Sequence, residues 1–188
     1  MIKKGDTIVN IRTGQQMTFL KTWAETRGTQ LKIDCVSPVT SEREKSHLHP
    51  HQENCFTLTK GNLCFIINGQ ELLADVGDVI SIPKNTPHSF YNSGNTEAHY
   101  IQEFFPALKT DRLFETFFVL AKDGELNKSG TPNIFRTALI LLHFDNEIRL
   151  AQPNWMIQKI TFKLLAPFAI LMGYKSFYEY GKAPTKLL

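Results

Sequence analysis

Between residues 5 and 105 the sequence alternates short runs of β-branched and aromatic residues with turn residues, and no run there has helical periodicity. The clearest turn is Asn68-Gly69, because both residues tolerate the left-handed conformation that a two-residue hairpin requires. Many short strands joined by such turns are typical of an antiparallel sandwich or a closed barrel. We predict strands over 5–10, 16–22, 30–36, 54–60, 63–67, 71–74, 79–82 and 98–105, and one more through His88, Phe90 and Asn92.

The character of the sequence changes at Pro106, after which apolar residues recur at helical spacing. The sequence therefore predicts a β domain over 1–105 and an α-helical C-terminal extension of about three helices over 106–188. The predicted helices run over 111–122, from Thr131 as N-cap with Pro132 at the first helical position, and from Pro153 to about Met172, with Gly173 as the stop.

The small net charge of the chain argues against nucleic-acid binding, and the distribution of its lysines raises the question of membrane contact. A net charge of +3 over 188 residues is too small to favour nucleic-acid binding. Residues 150–188 nevertheless hold five lysines against one glutamate, and residues 164–172 are an apolar run of nine residues, too short to span a membrane. The third helix is therefore predicted either to pack in the core or in a homodimer, or to make peripheral contact with a membrane.

Two features of the sequence favour a cytoplasmic protein. The first residues have no apolar segment of the kind that signal peptides contain. The cysteines Cys35, Cys55 and Cys64 are odd in number and lack zinc-finger spacing, so we expect reduced thiols.

Four of the six histidines lie in two segments, 47–61 and 77–92. His47 and His49 are two positions apart, so on an extended strand they point to the same side and could bind one ion together. A third imidazole from another strand, such as His88, would complete a three-nitrogen site with open positions. Such a site is typical of a catalytic rather than a structural metal.

The strand over 54–60 has two faces of different character. The face with the large apolar side chains, which includes Phe56, is expected to be the inner one. By the same alternation, Asn54 points inwards and Glu53 points outwards.

The two histidine segments resemble the two motifs of the cupin family. In the first motif, His47-Leu48-His49 is followed after four residues by Asn54 and after six more by Gly61. The resemblance covers roughly residues 30–105 and implies a small antiparallel jelly-roll barrel with a metal inside its mouth. The second motif is matched by Gly77, Pro83, Asn85, His88 and Asn92.

The chain departs from the cupin pattern at Asn54, where the family usually has a glutamate ligand. The resemblance then implies a metal held by His47, His49 and His88, with Asn54 or water as a further ligand. An amide oxygen is neutral, so the ion would keep its full charge, and we expect a divalent transition metal (Zn, Ni, Fe or Cu) rather than Mg or Ca. The second departure, Asn85 in place of a usual glycine, is compatible with a left-handed turn.

Four further residues are candidates for contact with a small-molecule ligand. His51 is expected at the barrel rim, where solvent exposure is the alternative to a ligand contact. Phe56 and Phe90 are expected in the core or the pocket wall. Glu103, near the end of the last strand, is either a surface charge or a general base at the mouth.

The sequence leaves open whether the chain is an enzyme. In one hypothesis, a metal held by three histidines acts on or binds a small polar molecule as a Lewis acid or activates O₂. In the second, the pocket is a small-ligand-binding module without metal, with the helices capping it or forming a dimer. In the third, the lysine-rich helix makes the chain a membrane-peripheral protein without catalysis.

Overall fold

The computed structural model describes residues 2–40, 44–127 and 129–180. Within these residues, strands occupy two antiparallel sheets and helices follow mainly in the C-terminal part. The strands are β1 (Thr7–Val9), β2 (Gln16–Lys21), β3 (Leu31–Ser37), β4 (His47–Leu48), β5 (Glu53–Lys60), β6 (Leu63–Ile67), β7 (Gln70–Ala74), β8 (Val79–Ile82), β9 (His88–Tyr91), β10 (Ala98–Phe105) and β11 (Arg149–Leu150). The helices are α1 (Trp23–Thr26), α2 (Thr110–Lys122), α3 (Ile134–His143) and α4 (Trp155–Leu171).

The two sheets form a jelly-roll sandwich, one of the two architectures that the strand pattern predicted, and not the barrel that the family resemblance implied. One sheet has the order β1-β2-β3-β10-β5-β8 and the other the order β11-β4-β9-β6-β7. Large aromatic side chains fill the space between them, and the rings of Phe56 and Phe65, one from each sheet, lie 4.9 Å apart. Among the described residues, no edge strand of one sheet is hydrogen-bonded to an edge strand of the other, so the barrel does not close.

Three local predictions in the β region are confirmed. Asn68 and Gly69 have φ angles of 51° and 82°, as the hairpin between β6 and β7 requires. Along β5, Asn54 and Phe56 are buried while Glu53 is exposed, so the alternation of faces is the predicted one. Asn85 takes the left-handed conformation with φ of 63°.

The β region also contains one short helix that the sequence pattern did not predict. The predicted strand over 16–22 ends at Lys21, because the backbone N–H of Thr22 donates to the Glu25 carboxylate at 3.0 Å and starts the single turn of α1. Arg27, with φ of 52°, ends this turn.

The three predicted C-terminal helices are present, but two of them begin at different residues. The N-cap of α3 is Asn133 instead of Thr131, because its side chain accepts the backbone N–H of Arg136 at 3.0 Å. Asn154 caps α4 in the same way, so this helix begins after Pro153. Gly173, with φ of 80°, follows the end of α4 as predicted.

The C-terminal extension is joined to both layers of the sandwich. Its strand β11 pairs with β4, with Leu150 opposite His47, and so adds an edge strand to the sheet that holds the histidines. Phe118 of α2 packs in the hydrophobic core between the sheets. None of the helices in the described ranges is both long and apolar enough to cross a bilayer. Two of the five C-terminal lysines, Lys182 and Lys186, lie outside the described residues.

Candidate metal centre

The sheet that contains β4 and β9 brings three histidines together. His47 lies in β4 directly opposite His88, the first residue of β9, and His49 follows β4 by one residue. The three side chains are buried, with ring centroids 4.5–5.2 Å apart. One potential ligand atom from each ring lies within 4.8 Å of the others, which is close enough for one ion to be shared.

Backbone carbonyl groups fix the orientation of all three rings. The Nδ1 atom of His47 lies 3.0 Å from the Lys45 oxygen, that of His49 2.6 Å from the Glu147 oxygen, and that of His88 2.9 Å from the Thr86 oxygen. A carbonyl oxygen can only accept a hydrogen bond, so each Nδ1 carries the hydrogen. Each Nε2 therefore keeps a free lone pair, the form in which histidine ligates metals.

The protonation state of the cluster also suits a metal. Burial lowers the pKa of His47, and burial together with the other two rings lowers that of His49 well below its usual value. Burial and the neighbouring His47 lower the pKa of His88 to about 4. In the described part of the chain, Nε2 of His49 and Nε2 of His88 are buried without a hydrogen-bond partner. Buried nitrogens with free lone pairs are costly unless something coordinates them, so these residues fit a metal.

The lowered pKa values predict that the metal-free protein loses stability in mild acid. A histidine titrates near pH 6.5 in the unfolded chain, and His88 near 4 in the folded one. The unfolded chain takes up a proton below pH 6.5, whereas the folded protein resists it until the pH falls through 4. The contribution of the neutral His88 ring to stability is therefore present above pH 6.5 and is lost as the pH falls through 4, a change of about 3 kcal/mol. We expect the free energy of unfolding, measured with chelator present, to fall less steeply over this range in His88→Gln.

Protonation of the Glu44 carboxyl group changes the stability in the opposite direction over this pH range, so the experiment needs a control for it. Burial raises its pKa to about 7, so its contribution to stability grows as the pH falls from 7 to 4.5. The comparison is therefore made in a Glu44→Gln background. Equal pH slopes with and without His88 would contradict the assignment of a depressed pKa to this ring.

Asn54 is buried on the inner face of β5, at 1% exposure. Its Oδ1 accepts a hydrogen bond from Gln102 at 3.3 Å, and its Nδ2 has no partner in the part of the chain that the structure describes. Glu53, the neighbouring carboxylate, faces outwards and accepts a hydrogen bond from Ser81. The structure thus puts an amide, and not a carboxylate, on the inner face at this position.

A cavity of about 900 Å³ connects the histidines to the C-terminal helices. His47, His49 and Phe90 form part of its wall on the side of the sheets, and Phe104 packs its ring 5.2 Å from that of His49. Side chains of α2, α3 and α4 also line this cavity. The extension therefore shapes the space in front of the candidate metal ligands.

Of the four residues predicted to contact a ligand, the structure brings only Phe90 to this cavity wall. Phe56 lies behind it in the core, with its ring 4.9 Å from that of Phe90. His51 is exposed and does not line the cavity. Glu103 points away on the outer face of β10, where it pairs with Lys32 at 3.3 Å.

Two residues that no sequence motif marks lie at the site in the fold. Glu44 is exposed, lines the cavity, and accepts the backbone N–H of Phe90 at 3.2 Å. With a pKa near 7, this carboxyl can both donate and accept a proton near neutral pH. Glu147 supplies the carbonyl that orients His49, and no motif marks either residue in the sequence.

Residues 36–102 match the family model of the cupin domain, a range that includes all three histidines. Among solved structures, the chain is similar to a predicted oxalate decarboxylase from Thermotoga maritima, with 22% identity over 56% of this chain and 99% of that one and a TM-score of 0.48. It is also similar to an RmlC-like cupin from Shewanella frigidimarina, with 17% identity over 55% and 86% of the chains and a TM-score of 0.46. For KdgF from Halomonas sp. the identity is 15% over 50% and 79%, with a TM-score of 0.44. No curated protein matches the chain.

Proposed function

With a cupin domain over residues 36–102, we propose that this protein binds a divalent transition metal through His47, His49 and His88 and presents it to a small organic molecule. The observation that supports the proposal is the trio of buried, neutral imidazoles whose Nδ1 atoms are all held by backbone carbonyls. Nitrogen ligands of this kind suit Zn, Ni, Fe or Cu. Asn54 or water would complete the coordination.

The residues around the metal ligands have separate tasks. The carbonyl groups of Lys45, Glu147 and Thr86 hold the imidazoles in one tautomer, and the ring of Phe104 shields His49 from water. The metal, when bound, supplies Lewis-acid polarisation of a ligand oxygen or lowers the pKa of a bound water. Glu44 can hold or release a proton at the cavity wall.

Metal analysis of protein purified without chelator tests this proposal. We expect close to one equivalent of a transition metal per chain, removed by a chelator together with ligand binding. Less than about a tenth of an equivalent after incubation with Zn, Ni, Fe and Cu in turn would contradict it. That result would favour the second candidate function, a metal-free ligand-binding module, to which the neutral Asn54 already points.

The amide at Asn54 limits which metals bind, and this gives a testable prediction. Asn54→Glu places a carboxylate on the buried inner face, so it should destabilise the metal-free protein and raise the affinity for Mn²⁺ and Fe²⁺ roughly tenfold or more. Isothermal titration measures both affinities. Asn54→Gln adds the same methylene group without the charge, and an equal affinity gain in this control would refute the electrostatic explanation.

We also propose that the chain forms a homodimer through the exposed face of α4. Ile157, Leu164 and Leu171 recur every seven residues on this face and are 57%, 68% and 86% exposed. The opposite face, with Gln158, Phe162 and Ala169, is buried. We define the α4 stripe as Met156, Ile157, Ile160, Leu164, Phe168 and Leu171.

A second copy of the helix fits the α4 stripe better than a lipid surface does. With Ile170 and Met172, the helix presents eight large apolar side chains, each more than half exposed. Their exposed area is on the order of 800 Å², about what each partner contributes to a standard interface. The heptad spacing suits the register of a facing helix, whereas a helix on a membrane needs no such register.

Light scattering after size-exclusion chromatography tests the dimer. We expect twice the chain mass of 21.5 kDa for the wild type and a monomer for Leu164→Glu. The control Leu73→Glu changes a residue that is 56% exposed on β7 and should remain dimeric. A monomeric wild type would overturn the dimer, and sedimentation with anionic liposomes that is lost in Leu164→Glu would assign the stripe to a membrane.

A further inference from the structure

Much of the cavity wall consists of apolar side chains of the C-terminal helices. Phe114 and Phe117 of α2 line it together with Ile140 and Leu141 of α3. Phe162 of α4 and Phe104 of β10 add two more rings to its wall. A polar molecule such as a sugar would lose its hydrogen bonds to water along this wall without replacing them.

Polar side chains also line the cavity. They include His47 and His49, the amide of Gln102, and the oppositely charged groups of Glu44 and Lys45. Three neutral imidazoles and a neutral amide leave a divalent ion with its full charge of +2. A ligand with an anionic oxygen would offset part of this charge, whereas an ammonium group would be repelled.

On the basis of the proposed metal site, we infer that the ligand is an amphipathic carboxylate, with its anionic oxygen at the metal and an aliphatic or aromatic body between the helices. The cavity volume of about 900 Å³ is large enough for such a molecule, since small-molecule sites typically span 300–1,000 Å³. This inference replaces the small polar molecule that the sequence suggested. The reason is that the helical wall of the cavity is contributed by the extension, whose packing the sequence pattern does not reveal.

The exposed rim of the cavity allows the apolar body to enter from solvent. Asn10, Asn127 and Asn133 line the cavity, and the last two are exposed at the loop between α2 and α3. A single cavity therefore combines exposed polar residues, an apolar wall and the candidate metal ligands.

A series of straight-chain carboxylates from butanoate to octanoate, titrated into zinc-loaded protein, tests the inference. If the body enters the apolar part, affinity should rise roughly three- to fourfold for each added methylene group. The alkylamines of the same lengths carry the same body with a cationic head, and we expect them to bind at least tenfold more weakly. Amines that bind as tightly as carboxylates would overturn the assignment of an anionic head.

Two variants test the contribution of the apolar wall separately from that of the metal site. Phe117→Ala removes part of the apolar wall and should weaken octanoate binding severalfold while leaving butanoate nearly unchanged. Phe105→Ala, a change on the exposed outer face of β10, should alter neither. Affinity that does not depend on chain length in the wild type would overturn the amphipathic ligand.

The same titrations with His49→Ala distinguish this inference from the proposed function. If zinc binds to the wild type but chain length has no effect, the ligand class is wrong and the metal site stands. If chain length matters equally in both proteins and zinc binds to neither, the proposed metal function fails. The carboxylate-to-metal geometry is then also overturned, and only the apolar pocket remains.

Discussion

His49→Ala is expected to abolish the thermal stabilisation that a bound transition metal confers on this protein. The wild type should be stabilised by about 2.7 kcal/mol at a free metal concentration of 100 times Kd. For a domain of this size that corresponds to a rise in Tm of roughly 5–10 °C. The variant loses one of three ligands that converge within 4.8 Å, so the rise should disappear at the same concentration.

The design of this experiment separates metal binding from folding. His49 is 4% exposed and its Nδ1 is bonded to the Glu147 carbonyl, so its removal also changes the stability of the metal-free protein. The quantity compared is therefore the difference in Tm with and without metal for each protein. His51→Ala removes an exposed imidazole nearby and should keep the full rise. An equal rise in His49→Ala would show that the metal binds elsewhere.

Phe104→Ala is expected to cost about 3–5 kcal/mol of the free energy of unfolding, the usual range for a fully buried phenylalanine. The ring of Phe104 is 0% exposed and lies 5.2 Å from His49 and 5.8 Å from Phe114 of α2. It therefore joins the β-sandwich, the metal ligands and the helical extension at one point. Chemical denaturation measures the change.

The neighbouring residue provides the matched control. Phe105 lies on the opposite face of β10 and is 38% exposed, so Phe105→Ala should cost about 1 kcal/mol or less. A cost for Phe104→Ala no larger than this would contradict the packing of the extension against the sandwich. If Phe104→Ala still binds the metal but no longer binds longer carboxylates more tightly, the contact between Phe104 and Phe114 serves mainly to shape the cavity.

The sequence could predict the parts of the site that depend on neighbours along the chain. The alternation along β5 assigned Asn54 to the inner face because one face of that strand is buried and the other is not. The two-residue spacing of His47 and His49 put them on the same side of the chain, whereas the family resemblance implied that His88 joins them, as it does in the structure. The hairpin at Asn68-Gly69 follows from backbone conformation alone.

The other features of the site depend on contacts between distant segments of the chain, which no local sequence pattern predicts. The bond from His49 to the Glu147 carbonyl joins residues 98 positions apart, and the two-residue strand β11 is too short to leave a periodic signal. The position of Glu103 near the end of a strand allowed a role as a general base at the mouth of the barrel, but its side chain lies on the outer face. The extent of the cavity is likewise set by how the helices pack on the sheets.

The most direct measurement of the central claim is an anomalous difference map from crystals grown with zinc or nickel, collected at the absorption edge of that metal. The account predicts one strong peak inside the sandwich, about 2.0–2.2 Å from the Nε2 atoms of His47, His49 and His88. Metal peaks found only at the protein surface, with the three imidazoles hydrogen-bonded to some other group, would contradict it.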